Sequence, residues 1–169
     1  MVAVTREAAL ADLTSLHSEF SQILSQLDGA DWEAEGTIGG GDWSLRDLVG
    51  HIASWEQLAL EAIHAAAQGR TPPVSNLSID ALNAEMVAAQ RKLALSSLRQ
   101  EAERTHLALV TAISEMDEEL WEHPVTLGDS QPMPLWEALG NILGAQEHLF
   151  CHLEDHLPDL RSFASAAGA

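Results

Sequence analysis

Four stretches of this chain repeat apolar residues every three or four positions, a period that confines it to helices burying one face. In the first, Thr5 to Leu27, the residues Ala9, Leu13, Leu16, Phe20, Ile23, Leu24 and Leu27 recur, with Arg6, Glu7, Asp12 and Glu19 between them. Asp28-Gly29 ends it, and a glycine-rich connection follows from Asp31 to Asp42. The second helix opens at Ser44, which pairs with Asp47 three residues on in the manner of a capping box, and runs to about Gln68. Leu45, Leu48, Ile52, Trp55, Ala59, Ala62, Ile63 and Ala66 form its expected buried stripe, and Asp47, Gly50, Ser54, Gln57 and Glu61 its wet face. Pro72-Pro73 cannot continue it. A third helix is expected from Ile79, capped by Ser78, to about Met116, with a bend allowed near Ser96-Ser97. Asp117 to Pro134 reads mostly as loop, and the fourth helix runs from Leu135 to Leu160 with Pro134 at its start. The expectation is an all-α four-helix bundle in a single domain over 1–169, with a disordered or loosely docked tail from about 162 to 169.

At 169 residues a single hydrophobic core is affordable, since a chain of this size buries roughly two thirds of its unfolded surface. Lys92 is the only lysine, and the formal charge of -18 would repel phosphate backbones and anionic lipid surfaces. Nucleic acid and membrane are therefore excluded as expected partners. The N-terminus becomes charged within a few residues and no apolar run approaches ~20 residues, so no signal peptide or membrane span is expected and a cytoplasmic location is. Cys151 is the single cysteine, which forbids an internal disulfide, and its acidic and imidazole neighbours speak against redox chemistry.

Three of the eight histidines, His148, His152 and His156, follow one another at four-residue spacing, about one helical turn apart. Two imidazoles at i and i+4 make half a metal site, and His51 is the best source of a third ligand. On a projection of the fourth helix His156 lies roughly 80° from the apolar centre, His152 roughly 120° and His148 roughly 160°. His148 should face solvent, which favours His152 with His156. His51, roughly 70° from the centre of its own stripe, half faces the bundle. These imidazoles share one end of the bundle only if the second and fourth helices are antiparallel. That requires an up-down-down-up order with a crossover between helices two and three, which the residues from Gly69 to Ser78 can just span when extended.

The segment WSLRDLVGHIASWE resembles the second-helix signature of the DinB/YfiT-like superfamily of four-helix bundles, and HLEDHLPDL resembles its C-terminal H-x-x-x-H element. The Asn83-Ala84-Glu85 opening of helix three and the His-Leu-Pro-Asp ending look most like the ClbS/DfsB branch. The resemblance spans Trp43 to Arg161 and implies the same up-down-down-up order. It also implies a divalent metal, nickel or zinc, on His51, His152 and His156, with the His148/His152 register as an alternative. Relatives include thiol S-transferases and a mycothiol-dependent maleylpyruvate isomerase. The ClbS branch is associated instead with detoxification of a DNA-alkylating product, without an assumed metal.

Three neutral imidazoles would leave the ion's charge intact and a position open for water or a low-molecular-weight thiol as co-substrate. The expected chemistry is attack on an electrophilic small molecule in a cleft lined by Trp43 and Trp55, with Glu56 as an auxiliary base. The competing readings are a ClbS-like metal-independent hydrolase or sequestering protein, and a non-catalytic bundle. A homodimer is the expected assembly, as for most soluble oligomers. His17, His64, His106 and His123 receive no function, and Trp32, Trp121 and Trp136 read as anchors packing the bundle ends.

Overall fold

A computed structural model of the chain describes residues 3–36, 38, 43–73, 75–145 and 148–167. Of the glycine-rich connection expected from Asp31 to Asp42, residues 37 and 39–42 lie outside the described residues. Four helices make the bundle: α1 (Arg6–Leu24), α3 (Leu45–Ala67), α5 (Leu95–Glu115) and α8 (His152–Ala167), joined by α2 (Gly29–Glu33), α4 (Ile79–Gln90), α6 (Glu118–Trp121) and α7 (Leu135–Ile142). Antiparallel β1 (Pro124–Val125) and β2 (Met133–Pro134) pair Pro124 with Pro134, within the stretch expected to be mostly loop. None of the described helices is long and apolar enough to cross a membrane.

Helix starts follow their caps. Thr5 Oγ1 accepts from Ala8 N, Ser78 Oγ accepts from Ala81 N, and Ser44 with Asp47 forms a full capping box. Cross-helix neighbours give the directions. His106 meets Glu56 and Leu98 lies beside Gly50, so α3 and α5 run in the same sense. Asn83 meets Trp55, Gln90 meets Ser54 and Arg91 meets Asp47, so α4 runs back along α3. The single helix expected over 79–116 is thus two helices, and the chain returns through α4 rather than through an extended 69–78 segment.

This return covers part of the face of α3 expected to be wet, around Asp47, Gly50 and Ser54. Asp47 is buried and receives two hydrogen bonds from Arg91, at 2.7 Å from Nε and 2.6 Å from Nη2. Burial alone would raise the Asp47 carboxyl; the bonds from Arg91 and Ser44 outweigh it and hold the group below its usual range. Arg46 Nη2 donates to the carbonyls of Arg91 and Leu93, while its Nη1 meets Glu33 Oε1 at 3.0 Å. The α4–α5 turn is therefore clamped to the start of α3. Asp47, Gly50 and Ser54 on that face meet α4 and its turn, a contact that amphipathic period does not reveal, whereas Gln57 and Glu61 face solvent as expected.

The fourth helix is also broken. α7 stops at Ile142, and the open Leu143 carbonyl accepts from His152 N at 2.8 Å, so α8 begins where α7 leaves off with a loop extruded between them. Glycines permit the fold-over: a Cβ on Gly140 would lie 2.9 Å from Leu149 Cβ, and one on Gly144 would lie 2.6 Å from the Gly140 carbonyl oxygen. Phe150 holds the left-handed φ of 62°, and its buried ring stacks on Trp121 at 6.0 Å. Within the described residues α8 continues to Ala167, with Phe163 packed on the core.

The core divides in two. One cluster joins Ala59–Ala66 of α3 to Leu109, Ile113, Trp121, Leu135 and Leu139; the other joins Leu45, Leu48 and Ile52 to Phe20, Trp32, Leu153, Leu157 and Leu160. Gly50 is where the α3–α4 packing is tightest, since an added Cβ would stand 2.8 Å from Gln90 Cβ. Gly50→Ala is expected to cost about 1–3 kcal/mol by overpacking, read as a melting temperature lower by roughly 2–10 °C. An unchanged melting temperature would show that α4 does not sit this close.

Candidate metal centre

His51 lies in the second turn of α3, and His152 and His156 lie one turn apart at the start of α8. The antiparallel approach of these helices brings the three rings together. His51 Nε2 stands 3.1 Å from His152 Nε2, which stands 3.3 Å from His156 Nε2. One ligand atom from each residue lies within 4.8 Å of the others, and no other such group of three occurs among the described residues. His51 is more buried than its shoulder position implied, at 2% exposure, because Trp43, Trp55, His152 and His156 pack around its ring.

Tryptophan rings wall the cluster. The Trp43 ring centroid is 4.8 Å from that of His51, and Trp55 stands edge-on to both His51 (6.3 Å) and His152 (5.9 Å). Trp55 Nε1 donates to Asn83 Oδ1 at 3.0 Å, so α4 fixes the ring that faces the histidines. Trp55, read from sequence as a core residue, is only partly buried. Asn83 stood out in the sequence only as part of a motif; its bond to Trp55 spans α3 and α4 and needed the packing to be seen.

Burial and mutual repulsion keep these imidazoles neutral. Burial first, then the charges of His152 and His156, bring His51 down to about 3. His152 falls to about 3 through burial and then His156, and burial also lowers His156. The donor set fits a divalent transition metal. Ligand nitrogens about 2.0–2.1 Å from a tetrahedral zinc lie roughly 3.3–3.4 Å from one another, and the two shortest separations are close to this. Hydrogen bonding alone serves the cluster badly, because His152 Nε2 offers either one proton or one lone pair to two neighbours. Among the described residues His51 Nδ1 is buried without a hydrogen-bond partner, and it is Nε2 that faces His152.

His148 does not join them. It is exposed on the extruded loop, with Nδ1 3.2 Å from Glu154 Oε2, since the break after α7 removes it from the helical phase of His152. His64 and His123 are exposed. Cys151 has its thiol pushed up to about 11 by burial and then by Asp12 and Glu154, an environment that disfavours the thiolate.

Glu56 and His106, by contrast, form a buried pair with 2.7 Å between Oε1 and Nδ1. His17 stacks on His106 with centroids 3.4 Å apart and planes 5° from parallel. Sequence reading gave His17 and His106 no function. Their one visible signal was position on facing stripes of two helices, which carries no meaning until α1 and α5 are known to touch.

The sequence model of the family described as "Mycothiol maleylpyruvate isomerase N-terminal domain" matches residues 13–142. The chain belongs to that family. With it the chain joins the DinB/YfiT-like four-helix proteins that its motifs resemble. The matched stretch includes His51 and ends before His152 and His156. No curated protein matches the chain. Among solved structures, a mycothiol-dependent maleylpyruvate isomerase is similar over 99% of this chain and 70% of its own, with 22% identity and a TM-score of 0.70. YfiT from Bacillus subtilis, described as a probable metal-dependent hydrolase with an unusual four-helix bundle topology, is similar over 99% and 92%, with 12% identity and a TM-score of 0.70. The colibactin self-resistance protein ClbS, solved with a dsDNA, covers 99% and 96% with 14% identity and a TM-score of 0.65. At these identities the likenesses establish a shared fold.

In the unfolded chain imidazoles protonate near pH 6.5, whereas folding lowers His51 and His152 to about 3 and His17 to about 4. Between those values the unfolded state binds more protons, so stability is lost as pH falls. The urea midpoint of metal-free protein is expected to drop from pH 7 to pH 5, and to drop less in His51→Gln; a flat profile would mean the rings are not held neutral.

Proposed function

We propose that this protein binds a divalent metal, nickel or zinc, through His51, His152 and His156 and acts on an electrophilic small molecule, as a thiol S-transferase or isomerase. The observation that carries this reading is the convergence of three neutral imidazole nitrogens in a partly closed site. Held by neutral ligands, a divalent ion keeps its full charge and supplies Lewis acidity, lowering the pKa of a thiol or water that reaches it.

The chain's own residues do the rest. Trp43 and Trp55 present aromatic surface beside the histidines, which binds an apolar or unsaturated substrate and excludes bulk water from it. Asn83 holds the Trp55 indole in place, so substrate meets a preformed wall. Family membership supports the thiol chemistry, because the family is described by a mycothiol-dependent isomerase. The charge of -18 argues against a nucleic-acid substrate.

Calorimetric titration of tag-free protein with nickel and zinc chloride is expected to show micromolar or tighter binding, weakened about a hundredfold or more in His51→Ala. Binding unaffected by that substitution would remove the site. Turnover of an electrophile with a low-molecular-weight thiol is expected to vanish with chelation. Activity that survives complete metal removal would instead favour a metal-independent hydrolase.

A further inference from the structure

Glu56 is a carboxylate buried at 5% exposure, and among the described residues His106 is its one hydrogen-bond partner. A charge in that position needs more than one bond, because burial strips its remaining lone pairs of water. Beside it lies a small, partly enclosed cavity bounded by Leu16, Ile52, Phe150 and Leu153, in which Glu56 and His152 are the polar lining groups among the described residues. Its volume of ≈ 10 Å³ is about what one water requires and far too little for a substrate. No direct hydrogen bond joins Glu56 to His152 among the described residues, while His152 spends its Nε2 on His51 and His156. Its Nδ1 is the ring atom left to serve the other side.

We infer that Glu56 and His106 are positioning residues for His152: one water in this cavity bridges the Glu56 carboxylate to Nδ1–H of His152, directing the bare Nε2 lone pair toward His51 and His156. This rests on the three-histidine metal site proposed above and adds the support that sets its tautomer. A ligating histidine commonly donates its other ring N–H to a carboxylate or water, which fixes ring orientation and raises the basicity of the ligating nitrogen. His106 keeps the carboxylate from rotating away, through a bond short enough to be charge-assisted. His17, stacked face to face on His106, blocks that ring from turning. This gives Glu56 a positioning role through His152, in place of the auxiliary-base role that its sequence position suggested.

The test needs no turnover. Nitrogen-15 NMR of histidine side chains in the metal-free protein is expected to show His152 as the Nδ1–H tautomer, and Glu56→Leu is expected to move it toward Nε2–H. Zinc chloride affinity is expected to fall about 10–100-fold in Glu56→Leu and His106→Leu, and less in Glu56→Gln, whose amide oxygen still accepts. Circular dichroism identifies any variant that has not folded; wild-type tautomer and Glu56→Gln affinity then decide the matter. An Nε2–H tautomer for His152 in the wild-type protein overturns the inference, as does unchanged zinc affinity in folded Glu56 and His106 variants. Wild-type protein that binds no zinc would sink the metal site itself, yet leave the tautomer readout standing.

Discussion

The clamp between the start of α3 and the α4–α5 turn is the interaction on which the rest of the structure depends. Arg46 takes the carbonyls of Arg91 and Leu93, Asp47 takes the Arg91 guanidinium, and Gly50 lets Gln90 close to contact distance. Together they oblige the chain to return along α3 before α5 begins, so α5 sets out in the direction of α3 rather than against it. The last helix then opposes α3, and His51 faces the opening turn of α8. Without that return, histidines on α3 and α8 would stand at opposite ends of the bundle.

The same clamp gives the site its walls. α4 carries Asn83 to Trp55, and Trp55 leans edge-on against two of the three imidazoles. A helix that looks like a connector in sequence therefore performs two tasks, one topological and one local. It covers part of the polar face of α3, and it sets an aromatic ring beside the candidate ligands. Desolvation by these same layers holds the histidines neutral, the state in which they can give a lone pair to a cation.

The two halves of the core meet near Glu56. Apolar packing on either side makes that carboxylate costly to leave unpaired, which is why it has a histidine partner in α5 and faces the small cavity behind His152. Polar groups inside a bundle are where tertiary structure is most demanding, because each must find partners on a helix far away in sequence. Glu56 and His106 are fifty residues apart, and nothing local to either announces the other.

Local physics was legible in the residues themselves. Helix periods, the Ser44–Asp47 capping box, the stop at Pro72-Pro73 and the pairing of His152 with His156 depend on neighbours within a turn or two, and the all-α bundle follows from them. The breaks at Arg91–Ala94 and after Ile142 were not legible. The first is imposed by Arg46 and Asp47 reaching across from α3, the second by Phe150 burying its ring on Trp121 and holding a left-handed backbone. His148 left the candidate set for that reason, since helical phase is lost wherever the chain leaves the helix. His17 and His106, and the burial of Asp47, likewise belong to contacts between segments distant in sequence. Period and capping are properties of a few consecutive residues, whereas burial and partnership are decided by which helices touch.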